Sequence, residues 1–236
     1  MKIRSVKAIE VDVTPHATTR PRVPKIETNG FVSPMQRYPE LKRSDWDNSW
    51  KRTACVVTAE DGTWGFGLTL HSGVTVPLIN DHIGPVIEGE NCMATERVWD
   101  LMQKATAPYG TAGVSSFAIS AVDNALWDLK GKLLNKPVYE IIGGPQKEKI
   151  FCYASNTDLS YGTENSIDWF LELGFKAVKL FLREGPDAGL AGLNRTEELV
   201  AKTREQVGPD VEIAVDCWMS MNTDYMVRLA EQLRPY

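Results

Sequence analysis

Little in this chain points to redox, nucleotide or membrane chemistry. Its four cysteines, Cys55, Cys92, Cys152 and Cys217, are scattered through 236 residues with no C-x-x-C pair. That spacing excludes a zinc module or a disulfide scaffold and reads as reduced, mostly buried thiols of a cytoplasmic protein. Histidine is scarcer still: His16, His71 and His82 stand far apart, with no metal-binding spacing. Neither a phosphate loop nor a G-x-G-x-x-G fingerprint is present, and Gly65-Phe66-Gly67 reads as a glycine-bearing hairpin strand. Basic excess is also missing. Lys and Arg number 26 against 31 Asp and Glu, a net charge of −5, which argues against nucleic acid or an anionic membrane as partner. No long uncharged apolar run occurs, so no transmembrane helix is expected. The start, Met1-Lys2-Ile3-Arg4-Ser5-Val6-Lys7, alternates charged and apolar residues, unlike a signal peptide.

What is present is enough apolar residue, 43%, to build a sizeable core in one or two domains. Residues 2–13 alternate and predict a strand with Ile3, Ile9, Val11 and Val13 on one face. Residues 52–59 and 64–70 predict a hairpin around Asp61-Gly62. Helices are expected at about 75–84, 94–105 and 113–134. The last carries Phe117, Ile119, Val122, Ala125, Leu126, Leu129 and Leu133 at helical spacing. Asp123 and Asp128 fall inside that pattern and read as structural carboxylates. Pro137 opens a short helix that Gly143-Gly144-Pro145 ends, which places a domain boundary near residue 145.

Beyond 145 the period changes. Strands at 150–155, 175–182 and 211–216 alternate with helices at 164–173, 194–207 and 223–234, the second opened by a capping-box spacing at Asn194 and Glu197. The order β-α-β-α-β-α implies parallel strands joined by right-handed crossovers.

The most informative run is Val211-Glu212-Ile213-Ala214-Val215-Asp216-Cys217-Trp218-Met219-Ser220. Asp216 stands where the alternating apolar pattern stops, at the carboxyl end of a strand. In a parallel α/β barrel that end carries the chemistry, and a lone carboxylate there suits Mg²⁺. An Asp that merely caps the next turn fits the same position. On the preceding strand Ala177, Lys179 and Phe181 share a face. Lys179 can therefore reach the same mouth as a substrate anchor or base, or be a solvated lysine at a strand end.

The stretch from Ala118 to Lys132, Ala-Ile-Ser-Ala-Val-Asp-Asn-Ala-Leu-Trp-Asp-Leu-Lys-Gly-Lys, resembles the signature of the mandelate racemase/muconate lactonizing branch of the enolase superfamily, and so does its continuation through Pro137-Val138 to Ile142-Gly143-Gly144. Asp216-Cys217-Trp218-Met219-Ser220, Tyr153-Ala154 and Gly174 to Lys179 resemble one subgroup of it, the L-rhamnonate dehydratases and related acid-sugar dehydratases. The resemblance implies an α+β capping domain (1–145) followed by the first part of a TIM-like, modified enolase (β/α)-barrel (146–236), with about three βα units. It implies one Mg²⁺, with Asp216 as the first of three acidic ligands. Lys179 matches the first lysine of a Lys-x-Lys motif. The second is here Phe181, which counts against a racemase or cycloisomerase.

The implied reaction is a hydro-lyase step: α-proton abstraction to an enediolate, then loss of the β-hydroxyl to a 2-keto-3-deoxy acid. The other two metal ligands and a His-Asp base would lie beyond Tyr236, so this chain alone is expected to be incomplete as a catalyst. A non-catalytic member of the family is the alternative. The partner is a small acid sugar, and the protein is expected to be a homo-oligomer.

Residues 14–50 contain five prolines, seven basic or imidazole side chains, among them His16, Arg20 and Arg37, and the aromatics Phe31, Trp46 and Trp50. Long loops of this kind are usually functional lids or disordered segments. The segment reads as a lid that recognises a polyhydroxy acid, with His16, Arg20, Arg37 and Trp218 as substrate contacts, or as an oligomer-facing arm.

Overall fold

A computed structural model describes residues 1–13, 50–110, 112–155 and 163–236. Apart from Trp50, the lid loop 14–50 lies outside them, and with it His16, Arg20 and Arg37. The described residues form two compact units, 1–13 with 50–148 and 149–155 with 163–236.

In the first unit β1 (Ile3–Val11), β2 (Arg52–Ala59) and β3 (Trp64–Thr69) make an antiparallel sheet in that order. The hairpin turns at Asp61-Gly62, where Gly62 takes a φ of 90° and the Asp61 carboxylate accepts the Thr63 N–H at 2.9 Å. One expectation fails here. A bulge in β1 between Ile3 and Ser5 shifts the pleat, so Ile3, Val6 and Ala8 face the core while Ile9 is 61% exposed. A single extra residue flips every later side chain to the other face, so the expected Ile3–Ile9–Val11–Val13 face does not exist.

The helices follow as α1 (Ser72–Pro77), a π-helical segment (Leu78–Ile83), α2 (Gly84–Ile87), α3 (Thr95–Thr106), α4 (Val114–Leu134) and the short α5 (Val138–Ile141). The expected helix at 75–84 is thus the middle of a longer, irregular stretch. α4 is the spine of the unit. Its Ala118, Ile119, Ala121, Val122, Ala125, Leu126 and Leu129 are buried against Cys55, Val57 and Ala59 of β2 and against Ile79, Ile83, Val98 and Met102.

β3 approaches α4 so closely that only glycine fits. A Cβ on Gly65 would strike the Ala125 carbonyl oxygen, and one on Gly67 the Ala121 carbonyl. Asp128 fastens the same contact. Its carboxylate accepts the Phe66 N–H at 2.8 Å and the Lys132 ammonium at 2.7 Å. Burial, then the charge of Glu96, pushes the Asp123 carboxyl up. Because the obstacles at Gly67 are backbone atoms, Gly67→Val should cost about 3 kcal/mol, read as a lower urea midpoint; an unchanged midpoint would mean that the strand and helix separate freely.

In the second unit β4 (Ala154–Ser155), β5 (Ala177–Phe181) and β6 (Glu212–Asp216) form a parallel sheet in chain order, with α6 (Thr163–Glu172), α7 (Gly189–Val207) and α8 (Thr223–Leu233). This is the start of a (β/α)-barrel following an α+β cap. Val178 and Leu180 pack with Ile167, Val200 and Val207 in one apolar cluster. The other face of β5 and β6 carries Ala177, Lys179, Phe181, Glu212, Ala214 and Asp216.

The expected capping box at Asn194 is a second correction. α7 begins five residues earlier, at Gly189, after a 3₁₀ turn over Pro186–Ala188. Asn194 and Glu197 instead clamp Gln232 of α8, accepting from its amide at 3.0 and 2.6 Å.

The thiols divide by environment. Cys55 and Cys92 are buried, Cys217 is partly covered, and Cys152 is exposed. No helix among the described residues is long and apolar enough to cross a membrane.

Candidate metal and substrate site

β5 lies between β4 and β6, with Ser155 opposite Lys179 on one side and Ala214 on the other. Alternation then puts Tyr153, Ser155, Lys179, Phe181 and Asp216 on the face turned away from the helices. Lys179 Nζ reaches Asp216 Oδ2 at 3.0 Å, and the two side chains are only 20% and 25% exposed. Lys179 is therefore not a solvated strand-end lysine. Its ammonium also stands over the Tyr153 ring, 5.3 Å from the centroid.

The contacts of Asp216 fit the turn-capping reading left open by the sequence. One oxygen, Oδ1, accepts the Trp218 N–H at 3.1 Å and so closes the turn after the strand; the other faces Lys179. That turn is unusual. Trp218 and Met219 both have positive φ, 38° and 63°, a conformation that costs non-glycine residues about 1–3 kcal/mol each. The Trp218 ring packs 6.4 Å from that of Phe181, so the indole and the residue replacing the second lysine of the motif share one apolar corner beside the ion pair.

The hydrogen bond from Lys179 holds the Asp216 carboxyl below the ordinary carboxylate range, with burial opposing and the Trp218 N–H assisting. The reciprocal hydrogen bond to Asp216 pushes the Lys179 ammonium up against its own burial. Burial, then the Asp216 charge, pushes the Cys217 thiol up, which disfavours the thiolate.

The pair has a defined pH window. A depressed carboxyl stabilises the fold above its unfolded pKa, and that contribution is lost as pH falls through the folded value. A raised ammonium stabilises below its unfolded pKa and loses its contribution as pH rises through the folded value. Asp216→Asn should therefore flatten the acid limb of a Tm-against-pH curve. An acid limb like that of the wild type would mean the pair contributes nothing to stability.

As a donor, Asp216 is an ionised, partly exposed carboxylate with lone pairs to spare, which suits a hard cation such as Mg²⁺. The described residues hold no cluster of three or more His, Cys, Asp or Glu able to enclose a metal, so among them Asp216 would be a single ligand. Mg²⁺ is commonly held by one or two carboxylates, waters and substrate oxygens, and the donor set fits on those terms.

His82 is a packing residue: its Nε2 lies 3.2 Å from the Ala105 carbonyl and its ring 5.8 Å from that of Tyr109. His71 has positive φ and its ring stands among those of Trp50 and Phe117. Tyr153 was visible in the sequence only as part of a resemblance. Its place beside Lys179 follows from strand pairing, for which the sequence carries no local signal.

Comparison with known proteins finds relatives in sequence and in fold. The family "Mandelate racemase / muconate lactonizing enzyme, N-terminal domain" matches residues 49–143. An L-rhamnonate dehydratase of Saccharopolyspora erythraea is 38% identical over 208 residues, covering 87% of this chain and 51% of that protein. The crystal structure of L-rhamnonate dehydratase from Gibberella zeae superposes with a TM-score of 0.83 at 29% identity, over 99% of this chain and 55% of that one. The Mg complex of the Gibberella zeae enzyme gives 0.82 at 28% identity, over 99% and 57%. The chain thus spans about half the length of the relatives it matches. With the cap, the parallel barrel strands and the matches in agreement, residues 49–143 carry the N-terminal domain of the mandelate racemase/muconate lactonizing enzyme family, and most of the chain is similar to the L-rhamnonate dehydratases.

Proposed function

We propose that the protein carrying this chain is an acid-sugar dehydratase, a carbon–oxygen lyase that works with Mg²⁺. The observation that carries this reading is the Lys179–Asp216 pair at 3.0 Å on the sheet face turned away from α6, α7 and α8. It is supported by the similarity to the Saccharopolyspora erythraea and Gibberella zeae enzymes.

The chemistry sets the demand. The α-proton of a carboxylate is weakly acidic, so its removal places nearly a full extra charge on the carboxylate oxygens. Groups that meet charge where it develops contribute most to rate. Asp216 would hold the cation, and Mg²⁺ when bound supplies a Lewis acid that stabilises that charge. Lys179 would donate from its ammonium to the same carboxylate. Trp218 and Phe181 wall one side of the pair and exclude water. The base that takes the α-proton can return it to the β-hydroxyl, which then leaves as water while the enediolate electrons form the enol that ketonises; no described residue is assigned as that base. Phe181 bears no proton-accepting group, so β5 offers no second base, as a dehydratase allows and a lysine-based racemase does not. His16, Arg20 and Arg37 are proposed as contacts to the sugar hydroxyls and carboxylate.

A library of acid sugars incubated with the protein and Mg²⁺, assayed for 2-keto-3-deoxy acids, tests the reading. L-Rhamnonate and its stereochemical neighbours should be turned over. Racemised or cyclised products, or no turnover across the library, would refute it.

A further inference from the structure

Lys179 is flanked from both sides. Asp216, at the end of β6, lies 3.0 Å from its ammonium, and the ring of Tyr153, just before β4, lies 5.3 Å away. These two partners differ in a way that matters once a metal arrives. A dication on Asp216 would draw off the carboxylate's charge and repel the ammonium. The ring face would lose nothing. Its attraction for a cation is a quadrupole effect, and it takes up none of the three ammonium protons. Tyr153 is 52% exposed, so it is not a core side chain whose placement packing alone would explain.

We propose that Tyr153 is a positioning residue: its ring face holds the Lys179 ammonium between the strands and keeps it aimed at the substrate when a cation occupies Asp216. The second half rests on the reading of Asp216 as a metal ligand; the first does not. Without the ring, the ammonium leans on Asp216 alone and competes with the metal for it. The Tyr153 hydroxyl also offers Lys179 a hydrogen bond; the hold proposed here is the ring's, so Tyr153→Phe should behave as wild type and Tyr153→Leu should not.

Two measurements separate the halves. Reductive ¹³C-dimethylation, with the Lys179 signal identified by its loss in Lys179→Met, reads the ring directly in metal-free protein. Ring shielding should place that signal upfield in wild type and Tyr153→Phe, and Tyr153→Leu should move it downfield. Calorimetry with MgCl₂ should give affinity roughly fivefold weaker in Tyr153→Leu, recovered in Tyr153→Leu/Lys179→Met. An unmoved Lys179 signal in Tyr153→Leu, or one displaced equally in Tyr153→Phe, overturns the proposal. A signal that moves as expected in a wild-type protein that binds no Mg²⁺ leaves the ring anchor standing and overturns the role of Asp216. Equal Mg²⁺ affinity in wild type and Tyr153→Leu overturns the competition.

Discussion

Asp216→Asn should weaken Mg²⁺ binding roughly 100-fold or more, since loss of even an outer partner of a metal ligand commonly costs 10- to 100-fold. The substitution is nearly isosteric. The amide oxygen still accepts the Trp218 N–H, now at 3.1 Å on Oδ1, so the turn after β6 should persist and the fold with it. What disappears is the negative charge. A neutral amide is a poor ligand for a hard cation that sheds water reluctantly, and Lys179 is left as a partly buried cation without its carboxylate. Titration calorimetry on wild type and variant, with circular dichroism to confirm an intact fold, gives the result. Unchanged Mg²⁺ affinity would leave Asp216 as a turn-capping residue and nothing more.

Lys179→Met should lower turnover by about 10²-fold or more while stability changes little. Methionine keeps the length and apolar stem of the side chain, so packing beside Ala177 and Phe181 is preserved. Losing the ion pair should lower stability only modestly, since the Asp216 carboxylate keeps the Trp218 N–H. On the proposed mechanism its catalytic weight is larger, because the ammonium would meet a charge that develops only after the ground state. The two variants should also move Mg²⁺ affinity in opposite directions. Lys179 stands 3.0 Å from Asp216 Oδ2, and removing it frees that oxygen, so Lys179→Met should bind the cation at least as tightly as wild type. Steady-state kinetics beside calorimetry reads both. A kcat near wild type would remove Lys179 from the chemistry.

The parts of the fold that periodicity could reach were those whose partners are close in sequence or whose pattern is long. α4 announces itself over six turns, and the β-α alternation after residue 145 follows from changes of period. What escaped depended on single-residue events or on distant partners. The β1 bulge adds one residue and leaves the apolar count of the strand untouched, so Ile9 looks as buried as Ile3 until β2 sets the register. Asn194 and Glu197 have the spacing of a helix start, but the same spacing recurs along any helix face. Only Gln232, 38 residues beyond Asn194, reveals that they join two helices. The site divides likewise. Asp216 and Lys179 each end or interrupt an apolar alternation and can be picked out singly, whereas Tyr153 acquires a role only when β4 is laid beside β5.

The uneven environment of the thiols has a practical consequence. Within this chain Cys55 is sealed, with burial pushing its thiol up to about 12, and Cys92 is likewise buried. Cys152 alone is exposed, immediately before Tyr153. A maleimide fluorophore added at moderate pH should therefore attach there first, within a few ångströms of the ammonium–ring contact. The chain carries a native attachment point for a dye beside Lys179 and Asp216, whose emission would report whether a cation or an acid sugar binds there, without any engineered cysteine.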